Sequence, residues 1–421
     1  MAEPRVIVVG AGPAGICAAQ TLVAAGIRPV VVDEGQRDGG QIYRRQPENF
    51  KRSYAALYGT EAARAKAMHQ RFEALRGHID YMPQTLVWNI AGQDVYVAQG
   101  DRLATLPFTA LILATGAIDR LMPVKGWTLA GTYSLGGAQI ALKAQACAIG
   151  RQVVFMGTGA LLYLVAAQYL KAGAHVAAVL DTSPWMGRIA ALPQLMAQPS
   201  ILWQGVALAW ALRRAGVPVH TRVTPLEIEG GPASGVSHLR FRDRRGRVRR
   251  IACDAVAMGY HLRPETQLAD LAKCDFEFDA DTRQWLPWTD MDGRTSQAGI
   301  YLAGDGARVL GARAAAVSGR LAALAALCDL GHGDATPRMA RLRRRLGRYR
   351  RFAGGLARAF AWPAALAAAL DDETIVCRCE CVSAGQLRQV VTEGSASEAN
   401  RAKAFSRVGM GRCQGRYCGH A

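Results

Sequence analysis

The chain has 421 residues, half of them hydrophobic, and 45 glycines. That is too long for one ordinary core, so two or three domains are expected, and the composition excludes a disordered or fibrous protein. The formal net charge of +18 raises nucleic-acid binding, but no recognised nucleic-acid module or interleaved aromatic platform accompanies the arginines, so that class is set aside. No run of about 18 or more uncharged apolar residues occurs, the longest candidate being Ala359–Leu370 with Pro363 inside it, so no membrane span is expected. The apolar N-terminal segment lacks a basic leader and a cleavage site. The expected location is the cytoplasm, peripheral to a membrane through partners.

The chain opens with V-I-V-V-G-A-G-P-A-G at Val6–Gly15. Four β-branched residues predict a buried strand, and an alanine-rich helix is predicted from Pro13 to Ala25. Gly10, Gly12 and Gly15 form G-x-G-x-x-G between the two, the context in which this motif binds a dinucleotide. Gly10 permits the turn, Gly12 lets backbone approach a pyrophosphate, and Gly15 lets the helix pack on the strand. Pro13 and Ala14 complete the turn, and the helix N-terminus faces the phosphates. A second strand, Pro29–Val32, ends in Asp33-Glu34, 18 residues after Gly15. Asp33 is preferred to Glu34 as the partner of a ribose hydroxyl because it directly ends the apolar run.

Gly39-Gly40-Gln41-Ile42-Tyr43 reads as a turn beside a flavin. Residues Ser53–Arg76 read as helix, and Pro83–Val97 with Leu103–Pro107 as strand and hairpin. Ala110–Gly116 is a buried strand ending in Ala114-Thr115-Gly116, a second close approach to the dinucleotide. Residues 117–150 read as a connection rich in Gly and Pro. At Arg151–Gly159 the opening design repeats: strand, Gly157-Thr158-Gly159, helix to Leu170, strand Val176–Leu180, Asp181. The repeat lies 147 residues after the first and carries Leu162 where the third glycine belongs, so this nucleotide site is either altered or working. At Gly299–Gly306 a further strand ends in Gly304-Asp305, placing Asp305 to bond a ribityl or ribose hydroxyl, and helix Arg313–Leu327 follows. Arg338–Arg358 holds nine arginines and no acidic residue. It reads as a helix or linker and as either a solvated basic face or a docking surface for an acidic partner subunit.

Cys17, Cys147, Cys253, Cys274 and Cys328 read as buried small hydrophobes. The other five of the ten cysteines fall in the last 45 residues: Cys377-Arg-Cys379-Glu-Cys381, then Cys413 and Cys418. Four thiolates so spaced suit zinc or an iron–sulfur cluster, and spacing alone does not separate these. A redox flavin on the same chain, and glycines at 409, 411, 415 and 419 that leave N–H groups for the sulfurs, favour [2Fe–2S]. The preferred ligands are Cys377, Cys379, Cys413 and Cys418, with Cys381 spare and able to replace Cys379. No general base or nucleophile stands out, and His220, His238 and His261 read as structural or surface residues.

Residues 1–330 resemble the two-dinucleotide-binding-domain flavoproteins of the disulfide-reductase and thioredoxin-reductase type. The matches are G-A-G-P-A-G, G-G-Q at Gly39–Gln41, A-T-G at Ala114–Gly116 and A-G-D at Ala303–Asp305. The resemblance implies an α/β fold with two Rossmann-like domains. FAD would be lined by Gly10, Gly12, Pro13, Ala14, Gly15, Asp33, Glu34, Gly40, Gln41, Ala114, Thr115, Gly116, Gly304 and Asp305. The middle domain lacks C-x-x-C, which excludes thioredoxin reductase activity. Its imperfect G-T-G-A-L-L puts NAD(P) binding in doubt.

The tail, with V-C-R-C-E and G-M-G-R-C-Q-G-R-Y-C-G, resembles the small helical bacterioferritin-associated-ferredoxin-type [2Fe–2S] domain. The whole chain is similar to the FAD-containing α-type subunits of hetero-oligomeric amino- and imino-acid dehydrogenases. That group includes D-hydroxyproline dehydrogenase α and the corresponding subunits of opine oxidase and hydrogen cyanide synthase. The implied division is a FAD-binding part at 1–120, a middle domain at 121–290, a FAD-domain return at 291–335, a basic helix or linker at 336–370 and a cluster domain at 371–421. The implied role is electron transfer from a FAD-dependent amine- or imino-acid-oxidising β subunit, with a small ferredoxin-like γ subunit in some assemblies. Two other readings stay open: a self-sufficient NAD(P)H-dependent FAD/iron–sulfur reductase, and a zinc-stabilised scaffold subunit.

Overall fold

The structure, a computed structural model, describes residues 4–420 except 51, 334, 394, 395 and 397. Two five-stranded parallel sheets organise it. In the first, the strands lie in the order Ile300–Leu302, Ala110–Leu113, Val6–Val9, Val30–Val32, Asp80–Met82. Alternation along Val6–Val9 sets both faces. Val6 and Val8 point into a core made with helices Pro13–Val23, Ala62–Leu75 and Ala312–Asp329. Ile7 and Val9 point the other way, toward Val87, Val95 and Val97 of a three-stranded antiparallel sheet. A strand buried on both faces has no polar side to show, hence its unbroken apolar run.

The second sheet repeats this plan in the order Val219–Thr221, His175–Asp181, Gln152–Thr158, Ala255–Tyr260, Thr132–Ser134. Val153 and Phe155 meet helices Leu135–Ala144 and Ala160–Lys171. Val154 and Met156 meet Ile228, Leu239 and Phe241 of another antiparallel three-stranded sheet. The chain crosses between the sheets along Ala117–Asp119 and Leu262–Pro264, which pair antiparallel.

Three expectations change. Residues 117–150 are not a bare connection: they hold strands Ala117–Asp119 and Thr132–Ser134 and helix Leu135–Ala144. Glycines hid that helix, yet Ser134 caps it by accepting the Gly137 N–H at 2.9 Å, and Leu135, Ala138 and Leu142 form its buried stripe. The helix expected over Ser53–Arg76 breaks into Tyr54–Tyr58 and Ala62–Leu75 around Gly59. Among the scattered cysteines, Cys147 is exposed and Cys328 half-buried, while Cys17, Cys253 and Cys274 are buried.

The basic segment is a single 24-residue helix, Thr336–Ala359. Its buried Leu346, Tyr349, Phe352, Gly355 and Ala359 recur at helical spacing. Leu346 and Tyr349 join the core of the first sheet, whereas Phe352 and Ala359 pack on Ala191 and Leu195 beside the second, so this helix straps the two halves together.

The return helix Ala312–Asp329 lies directly on Pro13–Val23, and a Cβ at Gly319 would collide with the Ala14 carbonyl. Gly319→Val should therefore destabilise the chain by about 1–3 kcal/mol through overpacking, seen as a lowered midpoint in thermal denaturation.

Candidate functional site

The carboxyl ends of the first parallel sheet form one cradle. Gly10 has φ +104°, and a Cβ there would strike the Ala114 carbonyl, so the first glycine turn and Ala114-Thr115-Gly116 lie in contact. Gly40 sits on the opposite side, its absent Cβ 2.9 Å from the Gly12 Cα. Gly304 packs toward Ala14, and Gly306 toward Thr115. Pro13 and Gly15 are buried in the first turn of their helix. Thus four sequence-distant turns converge at one sheet edge.

The two acidic residues placed there are both tethered. Asp33 accepts the Ala11 N–H at 2.5 Å and the Gly35 N–H at 2.6 Å. Burial raises its pKa, and these N–H groups partly oppose the rise. Asp305 accepts N–H groups from Leu310 and Gly311, both at 2.9 Å; burial raises its pKa too. Glu34 is exposed. Gln41 is also exposed and accepts from Arg44 at 2.9 Å.

The equivalent edge of the second sheet is filled by the chain itself. In sheets of this kind a dinucleotide lies outside the carboxyl ends of the strands. Here the His261 ring stands 3.3 Å from where a Gly159 Cβ would be, and its Nε2 bonds the Phe360 carbonyl. Asp181 accepts from Tyr163 Oη at 2.6 Å, from the Ser183 N–H at 2.8 Å and from Arg188. The Arg188 guanidinium lies 5.0 Å from the Phe360 ring, and that of Arg120 lies 3.6 Å over Trp362. The end of the arginine helix and the residues after it, 358–362, thus cover this edge. Leu162, fully buried, packs where the third glycine would be.

Four tail thiols meet. Cys379 interacts with Cys413, and Cys377 with Cys418, while Cys413 also acts on Cys418. Cys413 is partly buried, which opposes ionisation, yet the Tyr417 N–H, a hydrogen bond with the Cys379 thiol and the N–H groups of Gly415 and Arg416 bring its pKa below the usual thiol value. Burial pushes the Cys418 thiol up to about 12. A Cβ at Gly411 would collide with that of Cys379, so backbone passes directly against this ligand candidate. Cys381 is exposed and directs its thiol to the Arg378 carbonyl at 3.9 Å. Among the described residues, no group of three or more His, Cys, Asp or Glu side chains is drawn in tightly enough to hold a metal ion. The donor chemistry itself, two interacting thiol pairs with N–H groups aimed at sulfur, fits a thiolate-bound metal or cluster.

This thiol group is joined to the first cradle. Arg416, between Cys413 and Cys418, pairs with Glu265 at 3.4 Å and bonds Gln267. The Glu265 N–H donates to the Gly116 carbonyl at 2.9 Å, and the Glu265 carbonyl accepts from Thr115 Oγ1 at 2.6 Å. Buried Arg263 donates to the Arg416 carbonyl at 2.9 Å. On the far side, Trp127 Nε1 donates to the Ile375 carbonyl at 2.6 Å, and Lys125 pairs with Glu373.

Sequence reasoning missed Glu265, Arg263 and Arg416, which show no motif and acquire meaning only through this contact. It also missed Lys143, only 2% exposed. Its Nζ donates to the Ile42 carbonyl at 2.9 Å and so holds the Gly39–Tyr43 turn. A lone lysine on a helix carries no sequence signal of burial.

The pyridine nucleotide-disulphide oxidoreductase family model matches residues 4–320. The chain is 38% identical over 429 residues to an opine oxidase subunit of Rhizobium meliloti, covering 98% of this chain and 80% of that protein. It is 31% identical over 424 residues to the hydrogen cyanide synthase subunit HcnB of Pseudomonas aeruginosa, covering 98% and 90%. Among solved structures, L-proline dehydrogenase from P. horikoshii aligns with TM-score 0.71 at 20% identity, over 99% of this chain and 72% of that one. T. acidophilum thioredoxin reductase aligns with TM-score 0.58 at 20% identity, over 78% and 99%. These two likenesses establish the fold: two Rossmann-type domains of thioredoxin-reductase type.

Burial, reinforced by the nearby Arg44 charge, lowers the Lys143 pKa to about 7. The unfolded chain holds that proton up to about 10.4. Unfolding between these values takes up a proton, so the penalty is complete below pH 7 and fades as pH rises toward 10. The melting temperature of the unmutated protein minus that of Lys143→Met should therefore increase from pH 7 to about 10; a constant difference would exclude this titration.

Proposed function

This chain belongs to the pyridine nucleotide-disulphide oxidoreductase family, and on that premise we propose that it is the FAD- and [2Fe–2S]-bearing electron-transfer subunit of a hetero-oligomeric amine or imino-acid dehydrogenase. A partner flavoprotein subunit oxidises the C–N bond of a D-hydroxyproline-, opine- or glycine-type substrate. A small ferredoxin-like subunit completes some such assemblies. The family supplies the flavin-dependent oxidoreductase class. The names of the full-length relatives, an opine oxidase subunit and HcnB, support the subunit role.

One observation carries the reading: the thiol group is bonded through Arg416 and Glu265 to the Thr115-Gly116 turn of the first cradle. FAD would bring two-electron storage and the cluster single-electron steps. The chain's own residues do the rest. Gly10, Gly12, Pro13, Ala14, Gly15 and Gly40 let backbone approach the pyrophosphate, with the helix N-terminus facing it. Asp33 and Asp305 receive ribose and ribityl hydroxyls, and Ala114, Thr115, Gly116 and Gly304 line the flavin side. Glu34 and Gln41 border the site from solvent. Cys377, Cys379, Cys413 and Cys418 hold the cluster, and the N–H groups of residues 415–417 stabilise its negative sulfurs. We assign 1–120 with 291–335 to the FAD domain, 121–290 to the middle domain, 336–370 to the strap and 371–421 to the cluster domain.

The alternative of a self-sufficient NAD(P)H reductase needs an open second site. The contacts of His261 with Phe360 and of Asp181 with Arg188 and Tyr163, at the carboxyl edge of the second sheet, speak against such a site.

Two measurements test the assignment. The purified chain should carry two iron and two acid-labile sulfide per FAD, as for one [2Fe–2S] centre; Cys413→Ala should lose the iron, keep the flavin spectrum, and leave Cys381→Ala as a control that retains both. Zinc without sulfide would sink the relay role. In anaerobic stopped-flow mixing, NADH and NADPH should leave the flavin oxidised, whereas partner subunit plus substrate should bleach it; rapid bleaching by NAD(P)H alone overturns the preferred reading.

A further inference from the structure

Residues 182–226 contain no acidic side chain, and 189–212 contain no charge at all. Four glutamine and serine positions interrupt that stretch, which is why it does not register as a span, and its longest helix, Pro199–Arg214, has 16 residues. Among the described residues, no helix is long and apolar enough to cross a membrane. The segment nevertheless turns its largest apolar side chains outward. Trp203 is 70% exposed, Met186 68% and Trp210 59%, with Met196, Ile189 and Trp185 each above half. They stand on three short neighbouring helices, Trp185–Ala190, Leu192–Leu195 and Pro199–Arg214.

The exposure follows from the helix geometry. Trp203, Val206 and Trp210 are spaced three and four apart and share one stripe. The other side of that helix is already used: Leu212 is buried and Ala209 packs against the middle-sheet core, while Leu202 packs beside Phe352 and Leu195. A helix with two apolar faces needs two apolar environments, and the chain supplies one.

The charge around the patch identifies the other. Arg213 and Arg214 end the helix, and the Arg214 guanidinium lies 5.1 Å from the Trp210 ring. The arginine helix Thr336–Ala359 packs directly on the two preceding helices, and it too has no acidic residue. It leaves Arg341, Arg344, Arg345, Arg348 and Arg351 exposed. Outward tryptophan and aliphatic side chains, bordered by arginines with no carboxylate on either segment, match the interface of an anionic bilayer, where indole rings settle at headgroup depth and cations meet lipid phosphate.

We propose that the face formed by residues 185–214, flanked by the arginine helix, docks on an anionic phospholipid surface and holds the protein peripherally at a membrane. This is independent of the electron-transfer reading, since it uses neither the cradle nor the cysteine tail.

The test uses the full chain, purified with its flavin, and vesicles of phosphatidylcholine with or without phosphatidylglycerol. Co-sedimentation should require the anionic lipid and weaken as salt rises. The W203E/W210E double variant should bind at least about tenfold more weakly, with flavin absorbance and melting temperature unchanged. Should that variant unfold, brominated acyl chains should quench the tryptophan emission of the unmutated protein, and W203F/W210F should show less of that quenching while still binding, the remainder coming from Trp185. Equal binding by the unmutated and W203E/W210E proteins overturns the proposal, as does equal binding to both kinds of vesicle. So does gel filtration showing a dimer that these substitutions dissociate, with no vesicle binding, because a second copy then covers the face.

Discussion

How closely backbone can approach backbone at the carboxyl edge of a parallel sheet is the constraint on which this protein depends. At the first sheet, Gly10 touches the Ala114 carbonyl, Gly40 touches Gly12, and Gly304 nestles against Ala14. Each approach needs a missing side chain, and together they leave a surface of backbone N–H groups at the end of a helix. Such a surface receives a pyrophosphate without any charged side chain, because the helix terminus supplies unpaired donors and a partial positive charge. The return helix lies against Ala14 at Gly319, so the last strand and its Asp305 loop are held to the first glycine turn by the same economy of volume.

The second sheet has the same strand plan and a different fate. Two glycines remain in its turn, but Leu162 fills the place of the third, and Asp181 is fully engaged by Tyr163, Ser183 and Arg188. A fully buried carboxylate so held has three of its roughly four acceptor sites used within the protein. Phe360 and Trp362 then close over the edge, carried there by the helix that straps the two halves. The duplicated scaffold also seats the cysteine tail, through Trp127 and Lys125.

The tail has little core of its own. Its strands are short and its helices Ala384–Glu393 and Ala399–Ser406 bury almost nothing but Ala384. What fixes it is contact with the rest of the chain: Arg263, Glu265 and Gln267 grip the segment holding Cys413 and Cys418. Those three residues directly follow or belong to the strand that crosses between the sheets. The position of the thiols is therefore linked to the relative placement of the two halves, and the proposed path between cofactors lies across this junction.

The glycine turn, the strand ending in Ala114-Thr115-Gly116, Gly304-Asp305 and the repeat at Gly157 were legible because each is a local pattern whose physical cause lies within ten residues or so of itself. The clustering of five cysteines in the last 45 residues is likewise a local property; the ligand set proposed from it is not settled by that spacing. Helix Leu135–Ala144 was obscured because its glycines speak for a loop, and only burial of Leu135 and Leu142 against the middle sheet outweighs them. Lys143, the closure of the second edge by His261 and Phe360, and the Arg416–Glu265 junction join residues roughly 100 or more positions apart. By itself the sequence determined where strands, turns and thiols would form, because hydrophobic period and glycine placement act over a few residues. Which edge stays open, which is filled, and where the thiols come to rest were decided only by tertiary packing, because excluded volume and charge pairing between distant segments depend on a geometry that no local pattern encodes.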